Sequence, residues 1–361
     1  MLNLTGGGLS GGYQKYVQRI VEPMRHHSAI SDLLVVSPPE YVSLARSSTN
    51  VWTWQNGEQM LGFPLLRQRV RTWRPDVVFI PTARYLNCGV PVVCMVRNME
   101  PMLPATLGDG FTLWAKGRLR ALLAKRATAR ATRVVAVSQF VHDFLINQWN
   151  VKANRVGIVY HGVDSRAPVA ANPDALRSLS GKPFLFTAGS LLPYRGLEDA
   201  ISALPKLASR EVKLVVAGDG LNAYGQAMRA LAVRRGVADR VVWLGHVNET
   251  VMNSAFRQCA AFLMTSRVEA CPNTALEAMA NAALCISTTC PPMPEFFRNT
   301  ALYYEAGDAL QLARHIDHAI AMPARAMADL RTASQQRAAE FTWTKTVNET
   351  VAQLTLALHT Q

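Results

Sequence analysis

The strongest constraint on the fold is a long alternation of short apolar, β-branched runs with longer stretches of helical period. In the first half the runs are VVFI (Val77–Ile80), VPVVCMV (Val90–Val96), VVAVS (Val134–Ser138) and VGIVYHG (Val156–Gly162). The second half adds FLFTAG (Phe184–Gly189), KLVVAG (Lys213–Gly218), VVWLG (Val241–Gly245), AFLMT (Ala261–Thr265) and LCIST (Leu284–Thr288). Runs that are apolar throughout, with helix-length segments between them, read as parallel strands covered on both faces by crossover helices. Two successive sets predict an α/β chain of two doubly wound, Rossmann-like domains.

The polar, proline-containing stretch from Asp164 to Lys182 separates the two sets and is the expected linker. The expected boundaries are 1–165 for the first domain, 166–340 for the second, and a terminal helix over 341–361. Nothing repeats at a fixed short period, which excludes a solenoid. At 361 residues, with 49% hydrophobic and 17% charged, the chain has material for two ordinary cores. No apolar run approaches the roughly 20 residues that span a bilayer. The start, MLNLTGGG, lacks the basic and apolar regions of a signal peptide.

Six cysteines (Cys88, Cys94, Cys259, Cys271, Cys285 and Cys290) form no C-x-x-C pair. Reduced, buried thiols and a cytoplasmic setting are therefore expected, rather than a disulfide or metal framework. Charge is unevenly spread. Residues 1–170 hold 20 Lys+Arg against 9 Asp+Glu, and residues 171–361 hold 18 against 16. A basic first half implies an anionic partner there.

In doubly wound sheets, ligands bind outside the carboxyl ends of the strands, and the chemistry-bearing motifs all follow predicted strands. TSRVEACPNTALEAMA (Thr265–Ala280) leaves AFLMT and enters a helix near Pro272. Asn273 or Thr274 can cap that helix, and the amides of Asn273, Thr274 and Ala275 would face a phosphate. Glu269 and Glu277 stand eight residues apart, close enough to flank one ligand through its hydroxyls. On spacing alone, Glu277 reads equally well as an acid decorating a helix start.

AGSLLPYRGLEDAI (Ala188–Ile201) follows FLFTAG and opens a helix at Gly196, bringing Gly189, Ser190 and Arg195 to a strand end. GGGLSGGYQKYV (Gly6–Val17) places Gly7 and Gly8 in a loop before a helical pattern, where glycine permits close approach of backbone to ligand. The strand ahead of it, Leu2–Leu4, is short, as though the natural chain began upstream.

The Glu-(x)7-Glu spacing, EAMA after it, then LCIST and CPPMPE, resembles the signature segment of the family 4 (group 1) glycosyltransferases. The resemblance extends along nearly the whole chain. It implies the GT-B fold: two Rossmann-like domains facing across a cleft, with a C-terminal helix crossing back to the first domain. By resemblance, Glu269 contacts the transferred sugar and Glu277 the ribose hydroxyls. Arg195 and Ser190 take the diphosphate, where the family usually offers two cations. Gly218 of VAGDG and His246 of WLGHV line the nucleotide pocket, and HGVD (His161–Asp164) marks the domain crossing. Arg97 of RNMEPM stands where many relatives carry a sugar-contacting histidine, with Asn98 and Glu100 as candidates for acceptor or sugar hydroxyls. Another departure is Ala282-Ala283-Leu284, where the family usually has Gly-x-Pro.

The resemblance therefore implies retaining transfer from a nucleotide-sugar to a glycan or lipid-linked acceptor in bacterial surface polysaccharide or lipopolysaccharide assembly. No Asp-x-Asp occurs, so no metal is called for, and the donor is a substrate rather than a cofactor. A nucleotide-sugar epimerase or hydrolase, or a non-catalytic sugar-binding homologue, would share the same cleft. The segment Phe111–Arg133 mixes leucines with seven basic residues at helical spacing. It reads either as an interfacial helix on an anionic membrane, at the inner face of the cytoplasmic membrane, or as a core-facing helix with a solvated basic face. No base-reading motif accompanies this charge, which argues against nucleic acid.

Overall fold

The structure is a computed structural model and describes residues 1–5, 11–38, 51–53, 62–100, 111–164, 173–179 and 181–359. It divides into two compact units, Met1–Gly162 with Trp343–Gln361, and Val163–Thr342.

The first unit is built on seven parallel strands: β1 Leu2–Asn3, β2 Val35–Ser37, β3 Val51–Thr53, β4 Val78–Ile80, β5 Val92–Val96, β6 Arg133–Ala136 and β7 Val156–Ile158. Their order is β3-β2-β1-β4-β5-β6-β7. Leu2 pairs with both Val35 and Phe79, so β1 is central and the order reverses beside it. Helix α1 (Gly11–Arg25) links β1 to β2, α2 (Gly62–Trp73) precedes β4, α3 (Phe111–Arg130) precedes β6, and α4 (Gln139–Asn147) precedes β7. The apolar stripe of α1, Tyr13, Tyr16, Val17, Ile20, Val21 and Met24, is buried. Ser138 starts α4, its hydroxyl accepting from the Val141 N–H at 3.2 Å.

The second unit holds six parallel strands: β8 Phe184–Ala188, β9 Lys213–Ala217, β10 Val241–Gly245, β11 Ala261–Met264, β12 Cys285–Thr288 and β13 Ala301–Tyr304. They run in the order β10-β9-β8-β11-β12-β13, so the reversal falls between β8 and β11. The connecting helices are α5 Leu197–Ala203, α6 Ala223–Arg234, α7 Glu249–Gln258, α8 Asn273–Ala280, α9 Met293–Phe297, α10 Ala309–Ile320 and α11 Ala324–Ala338. Phe186, Phe256 and Phe262 pack with ring centroids 5.2 to 6.2 Å apart, anchoring β8, α7 and β11 to one another. The last helix, α12 (Trp343–Leu358), belongs to the first unit and packs on α1, β5 and β6. It is fastened by Gln353, whose Oε1 accepts from Arg133 Nε and Nη2 at 3.0 and 2.8 Å.

Three strands, β2, β3 and β13, lie outside the runs read from the sequence. Part of the expected linker is structured instead. Asp174–Leu179 forms 3-10 turns that bury Leu176 and Leu179. The basic helix α3 has a buried side, as the core-facing reading expects, and leaves its leucines outside it. Ala124, Ala127 and Thr128 are buried, while Leu119, Leu122 and Leu123 are 56%, 45% and 55% exposed.

The Ala282 departure is also legible in the backbone. Helix α8 ends in a paired-hydrogen-bond stop, Ala282 N–H to Met279 O at 3.0 Å and Ala283 N–H to Ala278 O at 2.9 Å. Such a stop requires a left-handed residue, and Ala282 supplies it at φ 56° with a side chain that disfavours it. Replacing Ala282 by Gly is expected to stabilise the protein by about 1 kcal/mol, read as a higher melting temperature. A lower one would contradict this account of the turn.

Candidate active site

The site is assembled where the second sheet reverses. Strand β8 ends at Ala188 and runs into Gly189, at φ 130°; β9 runs into Gly218, at φ 151°. A Cβ on Gly218 would lie 2.0 Å from the Gly189 carbonyl oxygen, so the two loops meet backbone to backbone. Gly189 N–H to Ala217 O (3.0 Å) stitches them, and Gly218 N–H to Gly245 O (2.8 Å) ties the second loop to the end of β10. A Cβ on Gly189 would press at 3.2 Å on Arg195 Cζ, so this glycine is the bed on which the guanidinium lies.

Arg195 closes a short 3-10 turn, Pro193–Arg195, before Gly196 starts α5 in the left-handed conformation. Its carbonyl accepts from Thr265 Oγ1 at 2.6 Å, tying this turn to the end of β11. Its Nη1 meets Glu269 Oε1 at 2.8 Å, with side-chain exposures of only 20% and 10%. Ser266 donates to the same carboxylate oxygen at 2.9 Å. The Ser266 carbonyl in turn accepts from Thr288 Oγ1 at 2.7 Å. Gly189, Ser190, Arg195, Thr265 and Ser266 line a pocket at this point, with Ser190 exposed to solvent.

Burial pushes the Glu269 carboxyl above the usual carboxylate range, opposed by the Arg195 guanidinium and the Ser266 hydroxyl. Burial disfavours the charged form of Arg195 too, but Glu269 and Tyr194 outweigh it and hold the guanidinium protonated.

A second ion pair braces the first. Arg267 grips Asp199 with both ends of its fork, Nη1 to Oδ2 and Nη2 to Oδ1, each at 2.8 Å. Asp199 Oδ2 also accepts from Tyr304 OH (3.1 Å) and Gly307 N–H (2.9 Å). The Arg267 N–H donates to Tyr194 O at 2.7 Å. The loops after β8, β11 and β13 are thereby joined. Sequence reasoning passed over Thr265, Ser266, Arg267 and Asp199. Ser266, three residues before Glu269, was the readable signal, while nothing in LEDAI marks Asp199 as buried.

Glu277 is half-buried within α8, on the element that begins at the same strand end. Pro272 is the residue that starts α8, in the place where the sequence offered Asn273 or Thr274. The Asn273 and Ala275 amides donate to Cys271 and Pro272 carbonyls, both at 2.9 Å. The Thr274 N–H has no partner among the described residues. His246 follows β10 and is exposed.

In the first unit, Arg97 leaves β5 and lies over the rings of Tyr13 and Tyr16, 4.7 and 5.1 Å from their centroids. Its Nη2 donates to Gly12 O at 3.1 Å. The Asn98 side chain accepts from the Glu100 N–H at 3.0 Å, forming the turn after the strand, with Glu100 half-buried. Gly7 and Gly8 lie outside the described residues.

A half-buried cation, a carboxylate and an unpaired amide at a switch point suit an anionic, hydroxyl-rich ligand. The model described as "Glycosyltransferase Family 4" matches residues 14–167, and that described as "Glycosyl transferases group 1" matches 170–339. The chain belongs to the family 4 (group 1) glycosyltransferases. Its fold is GT-B. This glycosyltransferase is 26% identical over 327 residues to a glycogen synthase of Mycobacterium tuberculosis, covering 85% of this chain and 75% of that one. It is 23% identical over 225 residues to the lipopolysaccharide 1,6-galactosyltransferase of Salmonella typhimurium, covering 60% of each. Anabaena HepE, solved in complex with UDP-glucose, superposes with a TM-score of 0.78 at 18% identity, covering 98% of this chain and 99% of that one.

Proposed function

We propose that this glycosyltransferase moves a sugar from a nucleoside diphosphate donor to an acceptor hydroxyl with retention of anomeric configuration. The observation that carries this reading is the ion pair of Arg195 with Glu269, formed where Arg195, Ser190 and Ser266 line a pocket between β8 and β11. Arg195 receives the diphosphate, helped by Ser190 and the Thr274 N–H at the start of α8. Glu269 accepts from the sugar hydroxyls, Glu277 from the ribose diol, and Gly189, Gly218 and His246 border the nucleotide. On the first unit, Arg97, Asn98 and Glu100 meet sugar or acceptor hydroxyls. The C1–phosphate bond breaks as the acceptor oxygen bonds C1 on the same face, and the acceptor proton passes to the leaving phosphate oxygen. The positive charge that steadies the leaving group comes from the protein itself.

HepE, solved with UDP-glucose, supports the donor class. The lipopolysaccharide galactosyltransferase relative supports bacterial surface-glycan assembly, with a glycan or lipid-linked acceptor. Two variants separate the roles. Glu277→Ala is expected to weaken donor binding by about tenfold or more, and Glu269→Ala chiefly to lower turnover. Nucleoside diphosphate release and donor titration measure the two effects. Unchanged kinetics in both variants would sink the assignment.

The same reading places the enzyme in the cytoplasm, peripherally bound at the inner face of an anionic membrane through α3. Helices α2 and α3 carry Arg67, Arg69, Arg71, Lys116, Arg118, Arg120, Lys125, Arg126 and Arg130, without one acidic residue on either. Exposed Leu119, Leu122 and Leu123 interrupt that charge, the combination an interfacial helix uses. Among the described residues no helix is long and apolar enough to cross a membrane. Co-sedimentation with phosphatidylglycerol vesicles is expected, reduced by salt and lowered about tenfold when the three leucines become serine. Failure to co-sediment at any salt concentration would contradict it.

A further inference from the structure

Arg195 closes a short turn after β8, and Glu269 lies on irregular backbone between β11 and α8. The spacing of the two charges is therefore set by whatever fastens one segment to the other. Two contacts to backbone do part of this. Thr265 Oγ1 donates to the Arg195 carbonyl, and the Arg267 N–H to the Tyr194 carbonyl. Each is a single hydrogen bond, about which the loop can still tilt.

The Arg267 side chain removes that tilt. Its guanidinium takes Asp199 through two parallel bonds, which fix orientation as well as distance. Asp199 stands in the first turn of α5 and is only 3% exposed. Arg267 Nη2 also reaches Glu198 Oε1 at 3.3 Å. The other Glu198 oxygen accepts from Tyr224 OH at 2.6 Å, and that hydroxyl accepts from the Leu197 N–H at 3.0 Å. Gly196 offers α5 no side-chain cap, so Tyr224 on α6 supplies the acceptor from outside the helix. The start of α5 is thus clamped from α6 and from the loop after β11. Tyr304 OH and Gly307 N–H hold Asp199 from the side of β13. Arg195 and Ser266 line the pocket, and the fork lies behind them.

We propose that Arg267 and Asp199 are positioning residues for the transfer, acting on it through the Arg195–Glu269 pair. This rests on the reading that the pair receives the donor. Loosening the fork lets the loop after β11 tilt against the turn after β8, and the pair loses its fixed spacing. Misplacement weighs more on the transition state, where charge develops on the leaving phosphate, than on the bound donor.

Glu269 reports on the pair directly. Burial pushes its carboxyl up and Arg195 opposes that, so a carboxyl that loses Arg195 titrates at higher pH. The test follows its titration by NMR in the full-length protein, isotopically labelled at glutamate Cδ, with the signal identified by its loss in Glu269→Gln. Asp199→Asn and Arg267→Gln are both expected to move the midpoint upward, toward that of an Arg195→Met control. Through-space charge alone acts otherwise: removing a cation raises a nearby carboxyl, and removing an anion lowers it. Shifts of opposite sign, or a wild-type midpoint in both variants, would overturn the proposal. Tyr304→Phe keeps both charges, deletes one donor to Asp199, and is the milder variant expected to shift the same way by less. The melting temperature of each verifies that it is folded.

Nucleoside diphosphate release from UDP-, GDP- and ADP-glucose, with water as acceptor, gives the kinetic arm. With the donor that wild type consumes, Asp199→Asn and Arg267→Gln are expected to lower kcat about tenfold and to leave KM within about threefold. A change confined to KM would also count against the proposal. A wild type that consumes none of the three removes the donor reading, while the carboxyl titration still decides whether the fork positions the pair.

Discussion

An arginine and a glutamate buried against each other, at the point where the second sheet reverses its strand order, are what the rest of the second unit is arranged to hold. Neither charge is tolerable alone at that depth. Arg195 arrives on a turn after β8 and Glu269 on the loop after β11, so the pair exists only because those strands are neighbours. Parallel pairing of β8 with β11 in turn requires the crossovers that wind away on either side. The pocket is thus a consequence of topology before it is a consequence of any side chain.

Around that pair the structure limits motion through contacts of different kinds. Gly189 and Gly218 allow two loops to touch through their backbones, a distance no side chain would permit. Thr265 and Ser266 each spend a hydroxyl on one member of the pair. Arg267 and Asp199 form a strut behind it that reaches the loop after β13 through Gly307. Preorganisation of this kind lowers the reorganisation needed when charge develops on a leaving phosphate. Loops after four strands, β8, β9, β11 and β13, are committed to fixing one guanidinium.

Much of this was legible in the amino-acid order, for identifiable reasons. The apolar runs that became β8, β9, β11 and β12 are buried strands, and buried strands advertise themselves by lacking polar interruptions. Glu269 and Arg195 were visible because each lies in a motif after such a run, Glu-(x)7-Glu and AGSLLPYRG, whose roles the family resemblance supplied. Thr265, Ser266 and Asp199 were not, since short polar side chains look alike whether they cap a turn, face water or brace an ion pair. The leucines of α3 were open to two readings. Helical spacing says that Leu119, Leu122 and Leu123 share a face, but not whether that face meets the core. The left-handed Ala282 was readable only as a departure, its cost appearing once the backbone was seen.

The central claim is that the pocket between β8 and β11 receives a nucleoside diphosphate sugar. Thermal unfolding of the protein in the presence of UDP-, GDP- and ADP-sugars tests it most directly, because a ligand of the native state raises the melting temperature by an amount that grows with its concentration relative to its Kd. One nucleotide class is expected to raise the midpoint in a concentration-dependent manner. No rise with any of the three, at concentrations up to the millimolar range, would contradict the account.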